Sequence, residues 1–312
     1  MTTPGLPSGR PGFALVAVLL VLALLGVVGV EFSYSMRLEA SAVRAYKDAI
    51  LATHLAEAAV EQAIREIVAD AAFVAPAQDG LLTFYTRERT AINRLPRTQV
   101  PLGSGHFSYR ISDEEARLNL NTSPPDRIDR LLRGLGLEKS ARDTVLDSLL
   151  DWRDPNEEHR LNGAESDDYY LKLPVPYRAR NANLESVTEL LQIRGLTPAL
   201  FYGADANPGL AEHATVKSQG QVNLNTASAP VLRAMGLAEA EIVEILQARR
   251  EAPYATVGRF AGRGLAVATR TFRIEAEGLV DGQVRARVSA IVQKRAGQAQ
   301  TAVAVLEWIG AR

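Results

Sequence analysis

An uncharged apolar run, residues 13–30, lies near the N-terminus of this 312-residue chain. As a helix the run would be roughly 27 Å long, which is about the thickness of the hydrocarbon core of a bilayer. Arg10 is the only charged side chain before it. We therefore expect the N-terminus to stay in the cytoplasm and the rest of the chain to lie across the membrane.

The apolar run continues directly into a one-sided pattern. Apolar residues recur at three- and four-residue steps from Val30 to Ile67, which predicts an amphipathic helix extending to about Asp70. A signal peptide would end at a cleavage site followed by a break in the helix, whereas this pattern predicts one rod on the order of 58 residues and 85 Å long. A plain signal-anchor helix is the simplest interpretation of such a run.

Alternating residues predict strands on both sides of a helical region. The first strand covers residues 106–111, and three more, at 272–278, 283–291 and 301–308, are joined by short turns at Asp281-Gly282 and Ala296-Gly297-Gln298. Residues 75–104 are predicted to be a loop with at most a short helix. We expect an α+β fold in which the long N-terminal helix packs on an antiparallel sheet, as in type IV pilins, with a large all-α domain inserted between the strands.

The predicted insertion contains two similar segments, each an Asn-Leu-Asn-Thr motif followed by a helix, a Gly-Leu turn and a second helix. The motifs are residues 119–122 and 223–226, and we expect Thr122 and Thr226 to cap the helices that follow. Such pairs resemble the helix-hairpin-helix of DNA-binding proteins. Because acidic residues such as Glu138 and Glu239 follow the turns, we favour structural hairpins over a membrane-anchored DNA receptor.

Residues 151–170 form the densest polar segment of the chain. Counting Asp154 as one, Asn156 falls at three, Glu158 at five and Glu165 at twelve. This is the ligand spacing of a calcium loop, although His159 occupies the sixth position, where glycine is usual. The predicted ligands are Asp154, Asn156, Glu158, Glu165 and Asp168. An ordinary solvated acidic loop is the alternative.

The chain is not predicted to be an enzyme. It has no cysteine, which excludes thiol catalysis, and its four histidines are far apart in sequence. No nucleophile-elbow motif or Gly-rich phosphate loop is present. With 35 basic and 36 acidic side chains, the overall charge gives no attraction to nucleic acid.

The Gly12–Phe13 junction directly before the apolar run resembles a type IV prepilin processing site. That resemblance implies cleavage after Gly12 by a prepilin peptidase and N-methylation of Phe13. The fifth residue of the processed chain, usually glutamate, is Ala17 here. With the segments 113–121, 151–170 and 221–228, this absence makes the chain similar to the protein K family of type II secretion, whose members are large minor pseudopilins.

The resemblance covers almost the whole chain and implies five parts. They are a leader (1–12), a transmembrane helix (13–36), a first pilin-like part (37–112), the inserted helical domain (113–268) and a closing meander (269–312). It implies a single-pass inner-membrane protein whose globular part lies in the periplasm. It also implies calcium in the helical domain, and assembly with the minor pseudopilins I, J and H and the major pseudopilin at the tip of a pseudopilus.

Overall fold

The computed structural model describes residues 11–69, 71–204, 207–295 and 302–310. One long helix, α1 (Pro11–Ile67), covers the apolar run and its amphipathic continuation, and it ends within three residues of the predicted position. The apolar half of α1 is exposed, whereas one face of the outer half is buried from Ala52 onward. The helix is thus amphipathic only where the rest of the protein covers it.

A five-stranded antiparallel sheet packs on the outer half of α1. Its strands, in the order β13-β12-β11-β4-β3, are β3 (Val100–Leu102), β4 (Gly105–Asp113), β11 (Thr271–Val280), β12 (Gln283–Arg295) and β13 (Ala302–Ile309). The four strands predicted from alternation are confirmed. The predicted turn at 296–298 lies outside the described residues.

The prediction that residues 75–104 form a loop is wrong. Strands β1 (Phe73–Pro76) and β2 (Leu82–Tyr85) form an antiparallel hairpin, and β3 follows. Val74, Leu82 and Phe84 are buried between the helix and the sheet. Strands of four residues contain too little alternation to be recognised, and it is this tertiary burial that stabilises them.

Small residues allow α1 to lie very close to the sheet. Ala52, Ala56, Ala59 and Ala63 are fully buried on one face of the helix. On the sheet, a Cβ atom at Gly278 would overlap the carbonyl oxygen of Ala52. The register of β11 against β12 also shifts between Gly278 and Leu279. Glycine is therefore required where the backbones of helix and strand meet.

The chain between β4 and β11 forms a second body with its own hydrophobic core. Its helices are α2 (Pro125–Gly134), α3 (Lys139–Arg153), α4 (Pro198–Tyr202), α5 (Leu210–His213), α6 (Ala229–Ala234) and α7 (Glu239–Glu251). Turns of 3-10 helix occur at Glu114–Ala116, Tyr170–Lys172, Val187–Gln192 and Gly258–Phe260. The fold is the predicted α+β arrangement, and the five boundaries drawn from the sequence stay a prediction.

Three short strand pairs complete this second body. Strands β5 (Leu118–Asn119) and β8 (Ala214–Thr215) pair in parallel, as do β9 (Val222–Asn223) and β10 (Leu265–Ala266). Strands β6 (Gly203–Ala204) and β7 (Asn207–Pro208) pair antiparallel. Strand β5 contains Asn119 and strand β9 contains Asn223, the first asparagines of the two Asn-Leu-Asn-Thr motifs. The two motifs therefore begin in equivalent surroundings.

The second asparagine of each motif fixes a distant loop. Asn121 hydrogen-bonds both backbone groups of Leu184, at 2.9 Å each. Asn225 does the same to Tyr254, donating to its carbonyl oxygen at 3.1 Å and accepting from its amide at 2.6 Å. The repeated motif thus repeats a structural role, because each amide side chain replaces a missing backbone partner.

The prediction that threonines cap the first helices is wrong. The residues that precede α2 and α6 are Pro124 and Ser228, and neither makes a side-chain capping bond. Proline in the first turn removes one of the amides that a cap would serve. Thr226 instead donates its hydroxyl to Asp113, 2.5 Å away, at the end of β4.

Candidate functional site

Among the described residues, α1 is the helix that is long and apolar enough to cross a membrane. Phe13 and Val30, at the ends of the apolar run, are 78% and 71% exposed. Phe13 lies in the first turns of α1, directly after Gly12, while residues 1–10 of the predicted leader are outside the described part of the chain. A fully exposed apolar helix attached to a folded body needs lipid or other helices around it.

The two helical hairpins pack their first helices, α2 and α6, against each other. Their turns contain Gly136 and Gly236, both with positive φ, at 85° and 84°. The basic side chains around the turns are paired with carboxylates, in the contacts Arg133–Asp129, Lys139–Asp143 and Arg233–Glu239. Backbone amides next to such neutralised surroundings hold a phosphate poorly, so the geometry favours a structural role for the hairpins.

The acidic segment after α3 is tightly folded around its own side chains. Asp154 accepts hydrogen bonds from the side chain of Asn156 (2.8 Å) and from Arg160 (2.7 Å). Asn156 in turn accepts from the amide of Glu158 at 2.8 Å, and the Glu158 side chain is exposed. Three of the five predicted ligands therefore lie in the outer part of the loop.

Glu165 lies in the inner part of the same segment, and it is almost completely buried. Both of its carboxylate oxygens lack a hydrogen-bond partner within the described residues. Burial and the nearby charge of Asp151 raise the pKa of Glu165 to about 7. Glu157, Asp154 and Asp168 also contribute to the increase. Glu165 is thus a buried carboxylate that accepts no hydrogen bond from the described residues and has four carboxylate neighbours. Such surroundings favour a bound cation.

The structure adds Asp151 to the residues chosen from spacing. Asp151, in the last turn of α3, is fully buried and accepts from Arg160 at 2.5 Å. A Cβ atom at Gly163 would overlap an Asp151 oxygen, so the loop needs glycine to close over this carboxylate. Loop spacing missed Asp151 because it belongs to the helix. The apolar residues around it, Leu149 and Trp152, were the signal that position 151 faces inward.

A divalent cation fits the surroundings of Glu165 better than it fits the regular calcium loop predicted from the ligand spacing. No group of three or more His, Asp or Glu side chains is already arranged as a metal centre in the part of the chain that the structure describes. The orphaned oxygens of Glu165, with Asp151 and Asp168 near by, nevertheless match the all-oxygen ligand preference of calcium.

Comparisons with known proteins agree with the arrangement of helix, sheet and insertion. The family described as type II secretion system (T2SS), protein K, matches residues 110–203 and 222–280. The type II secretion system protein K of Pseudomonas aeruginosa is 30% identical over 251 residues, which cover 73% of this chain and 68% of that protein. That of Klebsiella pneumoniae is 30% identical over 178 residues, covering 51% of this chain and 53% of the relative.

A solved structure shares the fold. It is a chain in the crystal structure of the GspK-GspI-GspJ complex from the enterotoxigenic Escherichia coli type 2 secretion system, with a TM-score of 0.62 and 15% identity. The similarity covers 88% of this chain and 99% of that chain. With its exposed apolar helix, its pilin-like sheet and its helical insertion, this chain belongs to the type II secretion system protein K family and is a minor pseudopilin.

Proposed function

We propose that this protein ends the periplasmic pseudopilus at its tip and helps to start its assembly. The exposed apolar half of α1 supports this proposal, because that half is suited to lipid before assembly and to sister helices afterwards. The inserted helical body at the other end is bulky and would obstruct stacking of another subunit above it. The pseudopilus would then grow by adding subunits below this protein, and its growth would drive export through the type II secretion system.

Ala17 supports a terminal position. In a packed filament a glutamate at this place would pair with the terminal amine of a neighbouring subunit in surroundings of low dielectric constant, where an unpaired charge is costly. Ala17 carries no such carboxylate, so this chain would not neutralise a neighbour's amine. We infer partners that carry the same kind of helix, namely the minor pseudopilins I, J and H and the major pseudopilin, in the inner membrane with the globular part in the periplasm.

Processing at Gly12–Phe13 is the first test of the proposal. In cells with an active prepilin peptidase, we expect the purified chain to lack residues 1–12 and to carry one methyl group on Phe13, as measured by intact mass. A Gly12→Leu variant is expected to keep its leader, because a peptidase that selects glycine would not accept a branched side chain. The Gly26→Leu variant, with open space around its Cβ position, serves as the matched control.

Co-purification with the minor pseudopilins tests the assembly part. We expect the processed chain to recover the pseudopilins I and J from membranes, and Gly12→Leu to recover much less. If the wild-type chain keeps its leader in those cells, the protein is a plain signal-anchored protein and the pseudopilus proposal fails.

We also propose that calcium stabilises the acidic segment, held by Glu165 with Asp151, Asp154 and Asp168. When bound, the ion would supply positive charge to carboxylates that otherwise repel one another. Removing calcium from the full chain in detergent should lower its melting temperature, by about 5 °C if the site had been nearly saturated. The Glu165→Gln variant should melt at the same temperature with and without chelator. A wild-type melting curve unchanged by chelator would remove the metal from the proposal.

A further inference from the structure

The helical insertion leaves and rejoins the sheet at one place. Asp113 is the last residue of β4, and in the register it faces Phe272, the second residue of β11. A buried polar network lies at this place, and we call it the joint. It consists of Asp113, Glu115, Asn223, Thr226 and Thr269. Asn223 and Thr226 bond to Asp113 and so tie the end of β4 to the second repeat of the insertion.

Asp113 is the centre of the joint. One of its oxygens accepts from the side-chain amide of Asn223 at 2.8 Å and from the hydroxyl of Thr226 at 2.5 Å. Its other oxygen accepts from the amide of Glu115 at 2.8 Å and contacts the hydroxyl of Thr269. The Asp113 side chain is thus surrounded by groups from the turn after β4, from the second repeat and from the returning chain.

The Thr269 hydroxyl lies between two carboxyl groups. Its oxygen contacts Oδ1 of Asp113 and is 2.8 Å from Oε2 of Glu115, an oxygen that also accepts from the amide of Thr271 at 3.0 Å. A threonine hydroxyl has a single hydrogen to donate. Both contacts are hydrogen bonds only if one of the two carboxyl groups carries a proton and donates it to the threonine oxygen.

The count of buried charges favours the same proton. Glu114, also fully buried, pairs through Oε1 with Arg117 at 3.0 Å and with Arg273 at 2.6 Å. Both guanidinium groups pair with Glu114, and within this buried set they are the two positive charges beside the three carboxyl groups of Asp113, Glu114 and Glu115. One proton makes this set neutral, and a buried set with an uncompensated charge would be costly.

The other titratable groups around Asp113 do not supply the missing positive charge. Four of them line the same cavity: Arg110 and Glu275 on the sheet, and Glu212 and His213 on α5. Burial lowers the pKa of His213, which keeps its imidazole neutral near pH 7. Arg110 and the two glutamates are exposed, so water and dissolved salt screen their charges.

We propose that Asp113 and Glu115 share one proton through Thr269, and that this proton makes the attachment of the helical insertion to the sheet sensitive to pH. With the proton present, every contact of Thr269 is a hydrogen bond. Without it, two buried carboxylates share one donor, and the chain segments 113–117 and 269–273 open more readily. The insertion, which stands at the outer end of the molecule, would then be held less firmly at neutral pH than in mildly acidic surroundings.

The direction of the pH effect follows from the proton count. Burial, and then the charge of Glu115, raise the pKa of Asp113 from 3.8 to about 7. Between these two values the folded joint binds a proton that the opened joint releases. The stability of the joint is therefore greatest near the lower value, falls as the pH rises, and levels off above about 7.

Hydrogen exchange of the joint amides tests the proposal. The full chain in detergent is kept in saturating calcium, so that Glu165 does not titrate, and exchange of segments 113–117 and 269–273 is followed by mass spectrometry. After correction for intrinsic exchange, we expect the opening constant to rise up to tenfold per pH unit between about pH 5 and pH 7, then to level off. Asp113→Asn, which removes the titrating carboxyl group, should remove this rise.

Two further variants complete the test. Asp281→Asn, in the exposed turn between β11 and β12, should keep the wild-type pH response. Glu115→Gln removes the second carboxyl group beside Thr269 and should weaken the response, which keeps the proposal testable if Asp113→Asn does not fold. The infrared band of a protonated carboxyl group should persist near pH 6 in the wild type and disappear in Asp113→Asn. Equal protection of the joint at about pH 5 and pH 8, or a wild-type response in both joint variants, would overturn the shared proton.

Discussion

Replacing Glu66 by glutamine is expected to lower the free energy of unfolding by about 3–5 kcal/mol. Glu66 on α1 and Arg97 form a buried ion pair in which each side chain is 5% exposed. Glu66 also accepts from the amide of Leu95 at 2.5 Å, and Arg97 donates to the carbonyl oxygen of Leu82 at 2.9 Å. The variant keeps the shape but leaves a buried guanidinium without a counter-charge, which is more costly than losing both charges.

An exposed pair provides the control for this prediction. Glu277 and Arg287 lie 3.0 Å apart on the outer face of the sheet, 38% and 69% exposed. Glu277→Gln should change stability by less than about 0.5 kcal/mol in the same denaturant titration. The double variant Glu66→Leu/Arg97→Met should be more stable than Glu66→Gln. Equal losses for Glu66→Gln and Glu277→Gln would show that the buried pair does not hold the loop before β3 to the helix.

Replacing Gly278 by alanine is expected to cost about 3 kcal/mol and to lower the melting temperature by roughly 10 °C. The new methyl group would overlap the carbonyl oxygen of Ala52, so α1 would have to move away from β11. The atom that the methyl group meets is a backbone carbonyl oxygen, and it cannot turn aside as a flexible side chain could. The melting temperature of the full chain in detergent measures the effect.

Gly310→Ala is the matched control for the Gly278 variant, because nothing lies within 4 Å of its Cβ position. We expect its melting temperature to stay within about 1 °C of the wild type. A Gly278→Ala variant as stable as Gly310→Ala would mean that the helix is not held against this strand in solution.

The elements that were predicted correctly are those with a hydrophobic pattern that extends over many consecutive residues. The alternation in β4, β11 and β12 and the continuous apolar run of α1 each extend over enough residues to be recognised. The β1–β2 hairpin was missed because Val74 and Phe84 become core residues only once the helix lies over them. Short strands of this kind depend on packing that no window of sequence contains.

Only part of the candidate site was predictable, because spacing along the chain shows only local neighbours. Glu165 was found from its spacing within one loop, but its neighbour Asp151 comes from the preceding helix and Glu157 was not chosen. Likewise, the threonines of the repeated motif have the composition of helix caps, whereas Thr226 bonds to Asp113, which is 113 residues away in sequence. Spacing identifies ligands that share a loop, and it cannot identify partners that only folding brings together.

The closeness of Asp113 to Phe272 in the sheet register has a consequence for how such a molecule could arise. A strand end and a strand start that lie side by side can be connected by a hairpin turn of a few residues. A pilin-like chain with only that turn would keep the same sheet, and a segment inserted there would leave the register of every strand unchanged. By the same reasoning, a shortened chain with a tight turn joining β4 directly to β11 should still form its sheet, and the removed piece could evolve at its own pace.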